Sequence, residues 1–471
     1  MVEQDLHELQ QELPREEGEQ LDEDNRLKPH FVSSVIESLD DGDEARAYEL
    51  VEPLHPADIA DLLELLSSDR RRKLVAAITD LMTGDVIAEL NDYVREDMIE
   101  ELPPEVVADI AEQLDTDDAV QMIEDLEPAE QRAILAEMEP EDRAAIESAL
   151  SYPEESAGRL MQRELVAVPE HMSVGDLIDY MRDNDDLPTE FWEVFVVDHR
   201  HRPVGSCQLS WVLRTPRNIA LSDVMKRNQT LIPVLMDQEE VALRFQKYAL
   251  ISAAVVDESG RLVGQLTVDD IVHIIQEEAG EDALLLAGAG DGDINEPITL
   301  TVRTRLTWLV VNLGTAILAS SVVGIFQGAI SRFALLAVLM PIVSGMGGNA
   351  GTQTLAVTVR ALATNQLTSS NTVRMIRREL QIAIVNGATL GALIGCACAL
   401  LFGNVHLGLV IGAAMVINNL TAGLSGILVP VSLERLRIDP AVSSAVFVTT
   451  ATDVMGFFSF LGLAAATGLA G

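Results

Sequence analysis

Four long stretches in the last third of the chain contain almost no residue that is charged at neutral pH. Three of them have no charge over 25, 27 and 54 residues, and the fourth contains one aspartate. A helix needs about 20 mostly apolar residues to cross a membrane. The stretches therefore predict one, one, two and one spans, with the break in the third at residues 402–406. The four uncharged or nearly uncharged stretches are residues 307–331, 333–359, 380–433 and 441–471.

The rest of the chain is strongly acidic. The whole sequence has 75 acidic and 32 basic residues and a net charge of −43, whereas residues 1–297 alone carry a net charge of −48. Such a charge repels nucleic-acid phosphates and favours cations as ligands, so direct nucleic-acid binding is not expected. Two parts that differ so much in charge, in a chain of 471 residues, predict several domains.

Cysteine use and motif content exclude further classes. Cys207, Cys396 and Cys398 are too few for a disulfide framework, and the C-x-C pair lacks the partners of a zinc site. Residues 1–30 are polar and charge-rich, which predicts a disordered tail rather than a cleaved signal peptide. No G-x-S-x-G or H-E-x-x-H motif occurs, so the sequence predicts no enzyme.

The arginines of the apolar part predict its orientation. With five spans, eight of its nine arginines fall on one side of the membrane and only Arg332 on the other. The positive-inside rule places the eight, and the large acidic part with them, in the cytoplasm. The C-terminus is then outside. The eight are Arg303, Arg305, Arg360, Arg374, Arg377, Arg378, Arg435 and Arg437.

Two internal repeats organise the acidic part. In residues 31–150, a leucine followed by proline and an acid recurs near residues 54–58, 102–105 and 126–130. Proline in the first turn and an acid beside it favour a helix start. This pattern predicts helix pairs stacked as a small α-solenoid, with an ordinary helical domain as the alternative.

The second repeat lies within residues 161–279. Val-Val-Asp followed by glycine seven residues after the aspartate occurs at Asp198 and again at Asp257, 59 positions later. Each copy predicts a strand, a turn and a second strand, with a helix ahead of it near residues 173–178 or 238–243. This arrangement resembles a pair of CBS domains, small βαββα modules that dock with pseudo-two-fold symmetry.

Asp453 is the only carboxylate deep in a predicted span. Ionisable groups inside a membrane are costly and usually face a pathway or a partner. Thr449, Thr452, Asp453 and Gly456 stand at i, i+3, i+4 and i+7, which places them on one face of a helix. The sequence therefore predicts a polar stripe beside an ion path, with a structural carboxylate bonded to a neighbouring helix as the alternative.

Small and polar residues mark three further membrane segments. Glycines in residues 341–361 permit either close helix approach or local unwinding that frees carbonyl oxygens. A third polar site is predicted in span four, and glycines spaced by four in span three predict a packing face or a subunit contact. These residues are Gly345, Gly347, Gly348, Asn349, Gly351, Thr352 and Gln353; Asn418 and Asn419; and Gly387, Gly391 and Gly395.

Taken together, the order of parts resembles the MgtE-type magnesium transporters. The second span contains G-G-N-A-G-T-Q and the fifth T-T-A-T-D-V. The resemblance implies a multidomain fold with an all-α superhelical N domain, an α/β CBS-domain pair and a polytopic α-helical membrane domain with five transmembrane helices. The implied ranges are 1–30 for a disordered acidic tail, 31–150 for the N domain, 151–279 for the tandem CBS domains, 280–302 for a connecting plug helix and 303–471 for the transmembrane domain.

The resemblance also implies a homodimeric, Mg²⁺-selective, channel-like importer of the cytoplasmic (inner) membrane. Its pore lies on the two-fold axis, intracellular Mg²⁺ closes it, and the CBS pair is a site for ATP. Thr352 and Ala445-Val446 depart from the family pattern. The implied pore residues are Asp453, Asn349, Thr449 and Asp439. The implied regulatory residues are Glu105, Asp109, Asp237, Glu239, Asp270, Glu278, Glu281 and Asp282.

Two other functions remain open at this point. A broader divalent transporter would accept Co²⁺, Mn²⁺ or Ni²⁺, although only Met455 offers a soft ligand near Asp453. A membrane-anchored sensor of nucleotide or Mg²⁺ would use the spans only as an anchor. Such an anchor has no use for a carboxylate inside a span.

Overall fold

The computed structural model describes residues 20–99, 102–124, 126–184, 187–188, 191–288, 298–368, 370–442 and 444–469. The chain forms two compact units, Met1–Val272 and His273–Gly471, which are described separately below. The tail predicted for residues 1–30 lies largely outside the described residues. Residues 20–28 contain a turn in which the Asp22 carboxylate accepts the backbone N–H groups of Asp24 and Arg26.

Among its described residues, the first unit begins with ten short α-helices. Helices next to each other or two or three apart in sequence contact one another, as expected for stacked helix pairs. Their core is made of fully buried aliphatic side chains such as Leu62, Leu74 and Ile123. The helices are α1 Pro29–Asp41, α2 Glu44–Val51, α3 Pro56–Leu65, α4 Ser68–Ala77, α5 Gly84–Ala88, α6 Asp92–Ile99, α7 Pro104–Ala111, α8 Thr116–Glu124, α9 Pro128–Glu137 and α10 Pro140–Leu150.

The helix starts predicted from Leu-Pro-acid phrases are confirmed. Helices α3, α7 and α9 each begin at a proline and carry an acid in the first turn. Helix α10 follows the same rule at Pro140. Proline has no N–H to leave unpaired there, and the acid faces the positive end of the helix dipole.

The α/β part of the first unit consists of two equivalent modules, which confirms the CBS pair. Each module has a three-stranded sheet with one parallel and one antiparallel neighbour. The first comprises β1 Ala167–Pro169, α11 Val174–Asp183, β2 Glu193–Val197, β3 Pro203–Gln208, α12 Leu209–Val212 and α13 Leu221–Val224. The second comprises β4 Leu231–Pro233, α14 Gln238–Tyr248, β5 Ser252–Val256 and β6 Leu262–Thr267.

The repeated glycine lets the two modules exchange backbone contacts. Gly205 and Gly264 occupy the same register position, opposite Val196 and Val255. A Cβ added at Gly264 would lie 2.7 Å from the carbonyl oxygen of Gln162, in the segment that precedes the first module. Such a clash would push that segment off the edge of the second module's sheet. The glycine in the repeat is therefore required by packing.

Helix α15, Val268–Ala287, continues across the predicted end of the CBS pair at residue 279. Residues 280–287 of the predicted connector thus belong to this helix, and residues 298–302 belong to the next one. Residues 289–297 lie outside the described residues. Within the second unit, Leu285 and Leu286 pack against Leu355, Ala441 and Val448.

The second unit contains five helices that are long and apolar enough to cross a membrane, as predicted. The break in the third uncharged run is also confirmed. Gly403 takes a left-handed conformation after the third of these helices, and the Asn404 side chain caps the fourth. The five are α16 Ile298–Ile325, α18 Leu335–Ala363, α19 Thr372–Phe402, α20 Val405–Arg435 and α21 Ser444–Ala466, with a short α17 Gln327–Arg332 after the first.

The glycines of α19 form a packing face within the subunit, which confirms the first of the two predicted alternatives. A Cβ at Gly391 would lie 2.6 Å from the carbonyl oxygen of Gly412, and one at Gly395 would lie 2.7 Å from that of Gly408. The backbones of α19 and α20 are thus in direct contact. Small residues at such positions let van der Waals contacts hold membrane helices together.

We expect Gly391→Ala to destabilise the membrane unit by about 1–3 kcal/mol, because the added methyl overpacks the α19–α20 contact. Gly314→Ala is the matched control, since a Cβ there meets no atom within 4 Å and alanine favours a helix by roughly 0.5–1 kcal/mol. Thermal unfolding of the full chain in detergent would compare them. Equal stability of the two variants would contradict this packing.

Candidate functional site

The Asp453 carboxylate lies half-buried on α21 and accepts a hydrogen bond from the Ser344 hydroxyl of α18. Ser344 is buried, and its Cα is 3.3 Å from the Cβ position of Gly456, one turn along α21 from Asp453. The two helices are therefore close enough for a short serine to reach the carboxylate. This bond joins the second and fifth spans at the polar stripe.

Some residues of the predicted polar stripe are buried by packing, and others remain partly accessible. Thr452 and Gly456 are buried, whereas Asp453 and Thr449 are half-buried. The Thr449 hydroxyl donates to the carbonyl of Ala445 at 2.7 Å. The structure therefore leaves the carboxylate of Asp453 and the neighbourhood of Thr449 as the accessible part of the stripe.

One face of α18 is open beside Asp453. Asn349 is exposed, and a Cβ at Gly345, one turn earlier, would meet no atom within 4 Å. A Cβ at Gly348 would approach only the Thr452 hydroxyl, at 3.9 Å. By contrast, Gly347 and Gly351 pack tightly against Asn418 and Val448. The glycine-rich segment thus has a packed side and an open, polar side.

The expectation of freed backbone oxygens is not met. Helix α18 is continuous through Pro341 and all four glycines, and α21 is continuous from Ser444. The carbonyls of Gly348 and Asn349 accept the Thr352 hydroxyl at 3.2 and 3.1 Å. Close packing explains Gly347 and Gly351 without unwinding. The oxygen atoms available to an ion in this region are therefore mainly those of side chains.

Asn418 occupies the centre of the packing between α18, α20 and α21. It is fully buried, and its amide donates to the carbonyl of Val343 at 2.8 Å. Its side-chain oxygen is buried without a hydrogen-bond partner. Asn419 is also buried and donates to Met415 of its own helix. The predicted third polar site is thus built into the helix contact rather than onto an open face.

Two further predicted residues meet at one end of the second unit. The pKa of Asp282 on α15 is raised by burial and by the charge of Asp439, which precedes α21. Asp439 is exposed and accepts the backbone N–H of Ala441 at 2.7 Å. Two carboxylates facing each other repel unless a proton or a cation lies between them.

The first unit contains an acidic cluster that joins the helical and α/β parts. Burial and neighbouring acids raise the pKa of Asp115 to about 6 and that of Asp118 to about 7. They also raise the pKa of Asp117 and Asp270. Asp117 has a buried carboxylate oxygen without a hydrogen-bond partner. Of these four residues, only Asp270 was predicted from the sequence.

Hydrogen bonds fix the wall of this acidic cluster. The Asp270 carboxylate accepts Thr267 Oγ1 at 2.6 Å and Gln162 Nε2 at 3.2 Å. The Thr116 hydroxyl donates to Glu164 at 2.7 Å. Among the described residues, no three Asp, Glu, His or Cys side chains are arranged to hold a metal ion. The cluster is therefore a concentration of negative charge whose oxygens would have to move closer to coordinate one.

Comparisons with known proteins place these features in a family. Residues 340–463 match the family model for a divalent cation transporter, residues 54–155 that for the MgtE intracellular N domain, and residues 157–206 and 221–277 that for the CBS domain. The chain is 31% identical to the magnesium transporter MgtE of Bacillus subtilis over 322 residues, which are 68% of this chain and 71% of that protein. The chain belongs to the MgtE family.

Further relatives agree with this assignment. The magnesium transporter MgtE of Thermus thermophilus is 32% identical over 329 residues, 68% of this chain and 71% of that protein. A crystal structure of the cytosolic domain of the Mg²⁺ channel MgtE in complex with ATP is 28% identical and covers 52% of this chain and 99% of its own, with a TM-score of 0.48. The five helices that are long and apolar enough to cross a membrane, together with the family match, make this protein a multi-pass membrane member of the MgtE family.

The other regulatory positions implied by the family are located on other helices or at a helix cap. Glu105 and Asp109 are exposed on α7, one helix before the cluster. Asp237 caps α14 by accepting the N–H of Glu239. Glu278 and Glu281 lie on α15 near Asp282. The sequence analysis missed Asp115, which directly precedes α8, and Asp117 and Asp118 in the first turn of α8; their only signal was the acidic start of that helix, a feature common in this sequence.

The raised pKa values predict how stability depends on pH. The folded state holds protons on Asp115 and Asp118 more tightly than the unfolded chain does, so without divalent ions stability should fall as pH rises from about 4 to about 7. Asp118→Asn should flatten this dependence. Glu49→Gln, at an exposed carboxylate of α2, should leave it unchanged. Hydrogen exchange of α8 in the full chain, in EDTA, would measure it, and equal pH profiles for both variants would refute it.

Proposed function

We propose that this MgtE-family protein transports Mg²⁺ through a channel-like path in the cytoplasmic membrane. The observation that carries the proposal is the Asp453 carboxylate, half-buried inside a membrane-spanning helix beside the open face of α18. Relatives that share about 31–32% of its residues over the matched region are named magnesium transporters. A span that served only as an anchor would gain nothing from this carboxylate.

The donor atoms around Asp453 suit Mg²⁺. The ion prefers six oxygen ligands, loses its water slowly and is usually held through one or two carboxylates with several waters retained. Asp453, Asn349 and Thr449 offer carboxylate, amide and hydroxyl oxygens. Met455 is the soft donor near them, so a site selective for soft metals is disfavoured. A broader divalent transporter remains the alternative, which uptake of Co²⁺, Mn²⁺ or Ni²⁺ would distinguish.

We infer that the pore lies between two copies of the chain. The polar face of α18 with Gly345 and Asn349 is open in one subunit. A two-fold axis along this face would bring a second Asp453 and a second Asn349 toward the same path. Such an arrangement supplies two carboxylates and two amide oxygens, which is appropriate for a largely hydrated dication.

The membrane potential supplies the driving force for import. An inside-negative potential favours entry of a divalent ion by about 4.6 kcal/mol per 100 mV, twice the value for a single charge. The distribution of arginines supports a cytoplasmic N-terminal part and an external C-terminus. Uptake therefore needs no nucleotide hydrolysis. The CBS pair is proposed to bind ATP as a regulatory ligand, on the likeness of this repeat to other CBS pairs.

We expect Asp453→Asn to lower Mg²⁺ influx by about 100-fold or more, since the amide lacks the charge that holds the ion. Ser344→Ala should lower influx about tenfold, because a hydrogen bond to a charged group contributes roughly 1.5–3 kcal/mol. Influx into proteoliposomes under an inside-negative potential is the measurement. Glu434→Gln, at an exposed carboxylate at the end of α20, is the control. Unchanged influx through Asp453→Asn would reject the pore.

We propose that the gate closes when bound cations relieve the repulsion between carboxylates. Asp115, Asp117, Asp118 and Asp270 in the first unit, and Asp282 with Asp439 in the second, are carboxylates whose mutual repulsion a bound cation would relieve. An ion that binds the compact arrangement better shifts the population toward it. Intracellular Mg²⁺ would thus stabilise a closed state. The packing of Leu285 and Leu286 of α15 against Ala441 and Val448 in the second unit supports a role for this helix in the gate.

If Asp282 and Asp439 share a bound Mg²⁺ in the closed state, Asp282→Asn should raise the Mg²⁺ concentration that closes the channel about tenfold. This corresponds to the loss of about 1.4 kcal/mol of binding free energy. Patch-clamp recording with graded cytoplasmic Mg²⁺ would measure it, with Glu434→Gln again as the control. Closure at the same concentration in both variants would remove Asp282 from the gate.

A further inference from the structure

The two hairpin turns of the CBS pair meet and line an open, solvent-exposed basic cavity. The turn between β2 and β3 touches the turn between β5 and β6, where the backbone N–H of Leu262 donates to the carbonyl of His201 at 2.9 Å. The cavity has a volume of about 680 Å³. Five of its six lining residues are basic, in a unit that is otherwise strongly acidic. The lining residues are His199, Arg200, His201, Arg202, Ser259 and Arg261.

Both turns are held rigidly by their own aspartates. Asp198 Oδ1 accepts the backbone N–H groups of Arg200 and Arg202 at 2.8 and 2.9 Å. Asp257 Oδ1 accepts those of Ser259 and Arg261, both at 2.8 Å. These carboxylates are used to shape the backbone. The backbone that carries the lining side chains is therefore shaped before any ligand binds, which reduces the entropy lost on binding.

The two turns share a backbone conformation but differ in residue type. His201 and Gly260 are equivalent in the repeat and both have positive φ, 60° and 76°. Glycine adopts this conformation freely, whereas a histidine there is strained. The first turn thus keeps a basic side chain at a position where the second turn uses glycine. Strain of this kind is found most often at ligand-binding and other functional positions.

Among the described residues, the guanidinium groups of the cavity make no direct ion pair with a carboxylate, although the charge of Arg202 helps to lower the pKa of the Asp198 carboxyl in its own turn. In the part of the chain that the structure describes, no ion pair joins Arg200, Arg202 or Arg261 to an acid. Elsewhere in the same modules, Arg217 and Arg244 do pair with acids, at 2.5 and 2.7 Å. Three guanidinium groups around one cavity repel one another. An anion from outside the chain would neutralise them.

We propose that this cavity binds an anion that carries two or three phosphate groups. Guanidinium groups bind phosphate oxygens in pairs with fixed geometry, and three of them match the charge of a di- or triphosphate. The volume lies in the range of small-molecule sites, about 300–1,000 Å³. Arg202 and Arg261, equivalent in the repeat, bind from the two turns, and His199 and Arg200 add contacts from one. The site is independent of the ion path through the membrane.

The test measures binding of tripolyphosphate to the full chain in detergent, by calorimetry in EDTA at about 150 mM salt, where long-range charge effects are screened beyond roughly 8 Å. Arg202→Gln combined with Arg261→Gln should weaken binding at least tenfold. The matched control is Arg217→Gln combined with Arg244→Gln, which removes two positive charges from the same modules outside the cavity. The control should change the dissociation constant less than twofold.

A second variant tests whether weaker binding reflects the cavity rather than a loss of folding in the first variant. His199→Gln combined with Arg200→Gln changes only exposed side chains of a turn whose backbone Asp198 holds, and it should weaken binding about tenfold. Absence of tripolyphosphate and lipid binding to the unmodified chain at millimolar concentration overturns the site. Equal weakening in the cavity and control variants also overturns it, because that result reports net charge alone.

Two further probes distinguish the source of the phosphate. A short-chain phosphatidylglycerol tests a lipid headgroup, and ATP tests a nucleotide. Binding of the lipid alone, with loss in the cavity variants, supports the phosphate site and assigns it to headgroups. If ATP binding persists in the variants that lose tripolyphosphate, ATP uses another part of the CBS pair, and the cavity remains a separate phosphate site.

Discussion

The membrane unit is organised around the cost of placing one carboxylate inside it. An acid at the centre of a spanning helix costs about 2.5–3.5 kcal/mol on insertion scales, so it persists only where polar partners or water stabilise it. Ser344 provides one partner, and it reaches Asp453 because α18 and α21 approach closely at Gly456. The glycines facing Asn418 and Val448 hold the same helices together. Close packing on one side thus leaves the opposite, polar side of α18 open.

In the first unit, the electrostatic cost falls on a group of neighbouring carboxylates. The aspartates of α8 and Asp270 come from segments about 150 residues apart, yet burial and mutual repulsion raise their pKa values together. Such a contact is stable only when protons or cations reduce the repulsion. This makes the contact between helical and α/β parts sensitive to ions. The basic cavity at the hairpin turns is the opposite case, in which the described guanidinium groups make no direct ion pair with an acid.

Local signals predicted much of the architecture. The five spans follow from uncharged runs, because charge in lipid is penalised wherever it occurs. The break at Gly403 and Asn404 and the helix starts at Pro56 and Pro104 depend on single-residue backbone preferences. The CBS pair follows from a repeat that the chain itself displays twice. Each of these signals acts within a few residues of the structure it specifies.

The sequence by itself thus determined the five spans, the helical and α/β parts and the presence of a carboxylate in the last span. Only the tertiary structure decided that α18 stays helical through its glycines, that the glycines of α19 face α20, and that Asp117 meets Asp270 rather than solvent. Which surfaces touch depends on residues that are distant in the sequence, such as Asp117 and Asp270. Composition and periodicity do not carry that information. The same glycine or aspartate stands in the sequence whether its position in the fold faces a neighbouring helix, a cation or water.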